Sequence, residues 1–141
     1  MSVGLIIITH HHVGENMLQM AIETFGNAPL RTGVFSIAAS DSRDEVKLRL
    51  EHYIKRIDEG DGILVLTDIY GSTPSNLACC LLEQQRIKVI SGINLPMLIK
   101  VFNYADAPLD ELTRYAIQGA HDGIILCNDD VCQTPPHTFK C

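Results

Sequence analysis

Val3-Gly4-Leu5-Ile6-Ile7-Ile8, followed at once by Thr9-His10-His11-His12, decides how the rest of the chain is read. The apolar run is short, unbroken and rich in β-branched residues. A half-exposed strand would alternate, so this pattern predicts a strand covered on both faces. Beyond the histidines the period changes. Between Gly14 and Phe25, the residues Met17, Leu18, Ala21, Ile22 and Phe25 fall on one face of a helix, and Gly26-Asn27 stops it.

The same alternation repeats downstream. Thr32 to Ala38 is a second strand. Ser42-Arg43-Asp44-Glu45 reads as a capping box, with a hydroxyl for the Glu45 amide and a carboxylate reaching back. It opens a helix to Ile57 with Val46, Leu50, Ile54 and Ile57 on one side, broken by Gly60-Asp61-Gly62. Gly62 to Thr67 is a third strand. Thr73-Pro74 starts a helix as a hydroxyl cap followed by proline, with Leu77, Ala78, Leu81 and Leu82 as its apolar face. Ile87 to Ile90 is a fourth strand, and helices follow from Pro96 to Phe102 and from Pro108 to about Ala120.

Strands and helices at this spacing predict an α/β layer sandwich with a mostly parallel sheet in the order 2-1-3-4. Ile124 to Cys127 is the candidate for a fifth strand. Residues 1–128 are expected to form the domain, and residues 129–141, with Pro135-Pro136 and no periodicity, a flexible tail.

Length and charge narrow the function classes. At 141 residues the chain suits one domain with a substantial core. Lys plus Arg number 11 against 17 Asp plus Glu, a net charge of −6, and there is no Trp. Both features count against nonspecific phosphate-backbone binding and base stacking. The apolar run at Val3–Ile8 is far below the roughly 20 residues that cross a bilayer, and no basic segment precedes it, so a cytosolic protein is expected. The cysteines are Cys79, Cys80, Cys127, Cys132 and Cys141. An odd number without a Cys-x-x-Cys pair reads as buried small hydrophobes or incidental thiols, not a disulfide framework or zinc site.

In open α/β sheets, ligands bind beyond the carboxyl ends of the strands. Two loops there carry chemistry. His10-His11-His12 lacks the spacing of a helical metal site, and adjacent residues on extended chain point different ways, so no metal is expected. Three histidines also read simply as a polar, solvated loop. The second loop shifts the weight. Asp68 ends an apolar strand, and with strands one and three as neighbours it lies beside His10. A carboxylate accepting from one imidazole nitrogen fixes the tautomer and frees the other nitrogen as a nucleophile. Gly71, Ser72 and Thr73 then lead into a helix, where amides and hydroxyls suit an anion. Thr73 as a plain cap and Gly71 as a plain turn are the simpler readings of each residue alone. Together the groups point to phosphoryl transfer through phosphohistidine, catalysed by positioning and charge stabilisation. There is no Walker-type loop, so the phosphate should come from a protein donor, with no cofactor.

These residues resemble a known family, the mannose-type IIA component of the bacterial sugar phosphotransferase system. The likeness runs from about Val3 to Ile125. It rests on the strand ending Thr9-His10, on Glu15-Asn16-Met17-Leu18, and on Gly62 to Asp68. It also rests on Gly71-Ser72-Thr73-Pro74-Ser75-Asn76 and on Val89-Ile90-Ser91-Gly92-Ile93-Asn94-Leu95-Pro96-Met97-Leu98. The resemblance implies that His10 carries phosphate on Nε2 and that Asp68 pairs with Nδ1. It implies a phosphotransferase that accepts phosphate from the histidine-containing phosphocarrier protein and passes it to a IIB component during sugar uptake. Many family members carry that IIB domain fused behind a linker, and since this chain ends soon after the IIA domain, a separate IIB component is expected here. The membrane would be involved only through IIC and IID components. It further implies a homodimer, with an antiparallel fifth strand at Ile124–Cys127 exchanged between subunits.

The sequence departs from the family where glycine usually follows the active histidine, since His11 stands there and either narrows the docking surface or adds a second base. His12 replaces a residue that is often aromatic or small. Tyr70-Gly71-Ser72 stands for an aromatic followed by two glycines. His11, His12, Tyr70 and Asn94 are accordingly candidates for partner docking. A regulatory phosphohistidine protein without transport, and the phosphoryl donor subunit of a dihydroxyacetone kinase, are the alternatives. An aspartate-phosphorylated receiver would need an acidic pair where this chain has histidines.

Overall fold

A computed structural model describes residues 2–84 and 86–128. The elements run β1 (Gly4–His10), α1 (Val13–Phe25), β2 (Thr32–Ile37), α2 (Arg43–Ile57), β3 (Ile63–Thr67), α3 (Thr73–Cys79) with a 3-10 turn at Cys80–Glu83, β4 (Ile87–Ser91), α4 (Leu95–Asn103) and α5 (Leu109–Asp122). β1 pairs with β2 and β3, and β3 with β4, all parallel, in the expected order β2-β1-β3-β4.

The central strands lack alternation because both their faces are covered. Leu5, Ile7, Leu64 and Leu66 pack into the cluster beneath α1, α4 and α5. Ile6, Ile8, Ile63 and Val65 join the cluster beneath α2 and α3, where Val46, Leu50, Ile54 and Ile57 are buried as their spacing predicts. The edge strand β2 does alternate, burying Gly33, Phe35 and Ile37. Side-chain parity continues along β1, so His10 shares the face of Ile6 and Ile8, on the side of α2 and α3.

Local details depart from the sequence reading. Only the hydroxyl half of the capping box forms: Ser42 Oγ accepts the Glu45 amide at 3.4 Å, with no return bond from the Glu45 carboxylate. Thr73 is not the cap of α3. Ser72 is, because its backbone is extended and its carbonyl accepts the Asn76 N–H at 2.8 Å, which moves Thr73 and Pro74 into the first turn. The chain tightens to 3-10 geometry at Cys80, and its three-residue period keeps Leu81 buried while turning Leu82 out to 51% exposure. Cys79, Cys80 and Cys127 are exposed free thiols, not buried hydrophobes, because the first two fall on the solvent side of that same junction.

The described residues contain no fifth strand. Residues 124–128 have no regular secondary structure and pair with no strand of the sheet, and Ile124 and Leu126 are 78% and 85% exposed. A strand exchanged between subunits has its partner edge on the other subunit, which a single chain does not offer. The tail expected at 129–141 lies outside the described residues. Among those residues, no helix is long and apolar enough to cross a membrane.

Candidate active site

The parallel register of β1 and β3 sets Ile8 opposite Thr67, so His10 and Asp68 emerge side by side past the strand ends. His10 Nδ1 lies 2.8 Å from Asp68 Oδ2, and the His10 main-chain N–H donates to that same oxygen at 2.9 Å. The Ile69 N–H donates to Asp68 Oδ1 at 2.8 Å. Both carboxylate oxygens are therefore occupied and the carboxylate cannot swing away. It is mostly buried, at 13% exposure, whereas His10 is 41% exposed. Burial pushes the Asp68 carboxyl up, but the N–H groups of the His10 main chain, the His10 ring and the Ile69 main chain together outweigh it and hold the carboxyl below its ordinary range. Asp68 is thus an anion at neutral pH and can only accept. The Nδ1 proton must face it, and the lone pair of a neutral ring then sits on Nε2.

The second loop is fixed from behind. The Gly92 N–H donates to the carbonyls of Asp68 at 2.8 Å and Thr67 at 3.0 Å. Ser91 Oγ lies 2.9 Å from Thr67 Oγ1 and 3.1 Å from Ser75 Oγ, and Thr67 and Ser75 are fully buried. This hydroxyl chain ties β3, β4 and α3 together beneath the Asp68 loop. On the other side, the buried Thr9 Oγ1 accepts the Gly14 N–H at 2.7 Å and so caps α1. Gly14 permits this approach, since a Cβ there would stand 2.7 Å from Ile7 Cγ2.

His10, His11, Thr73, Asp41 and Arg43 line one cleft of about 410 Å³. Among the described residues the Thr73 hydroxyl has no hydrogen-bond partner, and the residue is exposed, ready for a ligand oxygen. Gly71 takes φ 81° in the turn that brings the Ser72 N–H to the Ile69 carbonyl at 3.2 Å. The Ser72 hydroxyl donates to the same carbonyl at 2.6 Å, so its proton is spent within the loop. His11 lines the cleft with φ 44°, a left-handed backbone where glycine is the usual residue.

The other expected residues lie apart. His12 Nδ1 is 2.9 Å from Glu15 Oε2, both groups well exposed. Hydrogen bonds from His12 and then Ser36 hold the Glu15 carboxyl below its ordinary range. Tyr70 is 84% exposed at the loop tip. Asn94 caps α4, Oδ1 accepting from the Met97 N–H and Nδ2 donating to the Ala120 carbonyl, so both ends of its amide serve the fold.

With this arrangement in view, the family described as the PTS system fructose IIA component matches residues 4–116. The chain belongs to this IIA family. It is 24% identical over 127 residues to the mannose-specific EIIAB component of the phosphotransferase system of Escherichia coli K12, a match covering 88% of this chain and 39% of that protein. The chain thus spans well under half the length of that relative. Among solved structures, the mannose/sorbose-specific IIA subunit from Enterococcus faecalis superposes with a TM-score of 0.80 at 24% identity, covering 91% of this chain and 96% of that one. The EIIA component from Streptococcus agalactiae gives 0.77 at 27% identity, covering 87% and 95%.

In this IIA chain, Arg43 is the cleft residue that motif reading passed over. A signal was available: a cation on the first residue of a helix stands at the positive end of the helix dipole, where acidic residues are favoured.

Proposed function

We propose that the chain is a phosphocarrier in sugar uptake. His10 accepts a phosphoryl group on Nε2 from the histidine-containing phosphocarrier protein and hands it to a IIB component. The observation that carries this reading is the ionised Asp68 held against Nδ1, which leaves the Nε2 lone pair as the nucleophile of a half-exposed ring. Asp68 orients the imidazole and offsets the positive charge that spreads over it when Nε2 is phosphorylated. The Thr73 hydroxyl donates to a phosphoryl oxygen. The Gly71 amide adds a donor, and the Ser72 N–H and hydroxyl join it only by leaving the Ile69 carbonyl.

His11, Tyr70 and, more peripherally, His12 and Asn94 lie on the surface that the two partner proteins would share. The protein acts in the cytoplasm and meets the membrane only through its partners. It works as a homodimer in which the exposed Ile124–Cys127 segment adds an antiparallel strand to the other subunit, which would cover Ile124 and Leu126.

The test is incubation with phosphoenolpyruvate, the phosphocarrier and its kinase, followed by mapping of the label. One acid-labile phosphate on His10 is expected. Label retained by a His10→Ala variant would overturn the assignment.

A further inference from the structure

The phosphocarrier reading leaves a charge problem that one unassigned residue answers. A phosphoryl group on Nε2 brings close to two negative charges to a ring whose other nitrogen already faces the Asp68 anion. The chain as a whole carries −6. Asp41 adds another carboxylate to the cleft, where its Oδ2 accepts the Ala38 N–H at 2.7 Å. Of the described residues that line the cleft, Arg43 is the one lysine or arginine. Among the described residues it has no ion-pair or hydrogen-bond partner, although Asp44 and Glu45 follow it directly. It stands on the first residue of α2, where its own helix disfavours a cation. A solvated arginine without a partner among the described residues, set at the unfavourable end of a helix and in the same cleft as His10, has a charge available to a ligand in that cleft.

We infer that Arg43, with the Thr73 hydroxyl, forms the subsite that receives the oxygens of the transferred phosphoryl group. This rests on the phosphocarrier reading and names a residue that the family resemblance did not supply. In the transfer, His10 Nε2 attacks the phosphorus on the donor's phosphohistidine. The nitrogen–phosphorus bond of the donor breaks, its electron pair returns to the donor ring, and a new bond forms at Nε2. The Nδ1 proton stays on His10, facing Asp68, so no proton has to be delivered or removed. What changes is where the phosphoryl charge sits. The planar fork of Arg43 can hold two of its oxygens at once, which an ammonium group cannot do in the same geometry.

The experiment is single-turnover labelling over a range of phosphorylated-donor concentrations up to saturation, comparing the wild type with Arg43→Gln, Arg43→Lys, Arg43→Glu, His10→Ala and Lys47→Gln, the last being on α2 but not in the cleft. Arg43→Gln should slow transfer by about tenfold, less than a buried arginine clamp is worth because the cleft is open to water. Arg43→Lys should recover part of the rate, Arg43→Glu should be slower than Arg43→Gln, and Lys47→Gln should match the wild type. The melting temperature of Arg43→Gln should equal or slightly exceed that of the wild type, since a cation leaves a helix N-terminus, so misfolding cannot account for a slower reaction. Wild-type label on His10 with an Arg43→Gln rate unchanged within about twofold overturns the subsite and leaves the phosphocarrier reading standing. A change confined to the donor concentration needed for half-maximal rate overturns it too, assigning Arg43 to docking. Absence of label from the wild type, or label on His10→Ala, overturns both.

Discussion

Two histidine–carboxylate pairs share the loop after β1, and their separations are almost the same: 2.8 Å from His10 to Asp68 and 2.9 Å from His12 to Glu15. Distance does not tell them apart. The carboxylates do. Asp68 comes from a strand far away in sequence, is 13% exposed, and has both oxygens held by main-chain N–H groups as well as by the ring. Glu15 comes from the same turn of chain, is 52% exposed, and its other oxygen takes a bond from the Ser36 hydroxyl. The first carboxylate cannot rotate without breaking main-chain bonds, so it dictates the tautomer of its histidine. The second can trade its partner for water at little cost, so it dictates nothing lasting.

The largest test of this contrast is chemical. His10→Ala should take up no label, whereas His12→Ala should retain uptake within about twofold, as loss of an exposed pair implies. Equal losses would break the comparison outright. The next test is stability in urea. Asp68→Ala removes the acceptor of three N–H donors and should cost about 2 kcal/mol, in the range for hydrogen bonds to a charged group. Glu15→Ala should leave stability close to that of the wild type, because its carboxylate is open to solvent. Similar costs would show that burial of the carboxylate contributes nothing to the distinction.

The sequence exposes one side of this contrast more clearly than the other. That His10 and Asp68 meet follows from unbroken apolar runs, which demand two covered faces and so place strands one and three in the interior of the sheet. The face of His10 follows from the parity of Ile6 and Ile8. What the residues do not announce is how the carboxylate is locked. The bond from the His10 main-chain N–H depends on the backbone path beyond Thr9, and no side-chain pattern records it. The Ser72 hydroxyl looks available for phosphate from its type and place, yet the turn at Gly71 aims it at the Ile69 carbonyl. The same turn shifts the helix cap from Thr73 to Ser72 and leaves Thr73 facing the cleft. Arg43 is hidden by the capping box around it, which accounts for Ser42 and Glu45 and invites no question about the two residues between them.

Acid sharpens the contrast further. Asp68 has a folded-state carboxyl pKa held below its unfolded-chain value, so the unfolded chain takes up this proton first as pH falls. The stability it contributes is fully present above about pH 4, the unfolded carboxylate range, and is lost as pH drops through the lower folded value. Asp68→Asn should flatten the fall in stability below about pH 4 measured by urea unfolding across pH, while Glu15→Gln should leave the profile nearly unchanged because its groups are open to solvent. A Glu15→Gln profile that flattens as much as that of Asp68→Asn would place the acid-sensitive interaction in the wrong pair.

Between the two pairs stands His11, and it explains how neighbours on one loop come to serve different carboxylates. Its N–H donates to the Ile37 carbonyl at 3.0 Å, extending the β1–β2 pairing by one residue. Its φ of 44° then turns the chain sharply, so that His10 stays with the sheet while His12 enters the start of α1. The left-handed backbone costs a residue with a Cβ about 1–2 kcal/mol, and glycine returns part of that through its larger freedom in the unfolded chain, about 0.5–1 kcal/mol. His11→Gly should therefore raise stability by roughly 0.5 kcal/mol, while His11→Val, branched at Cβ, should lower it. Labelling of His10 in the glycine variant should stay at the wild-type rate if His11 serves the turn alone. A slower rate in that more stable protein would assign the His11 ring to the transfer itself, and the loop would then hold two working histidines where the comparison allows one.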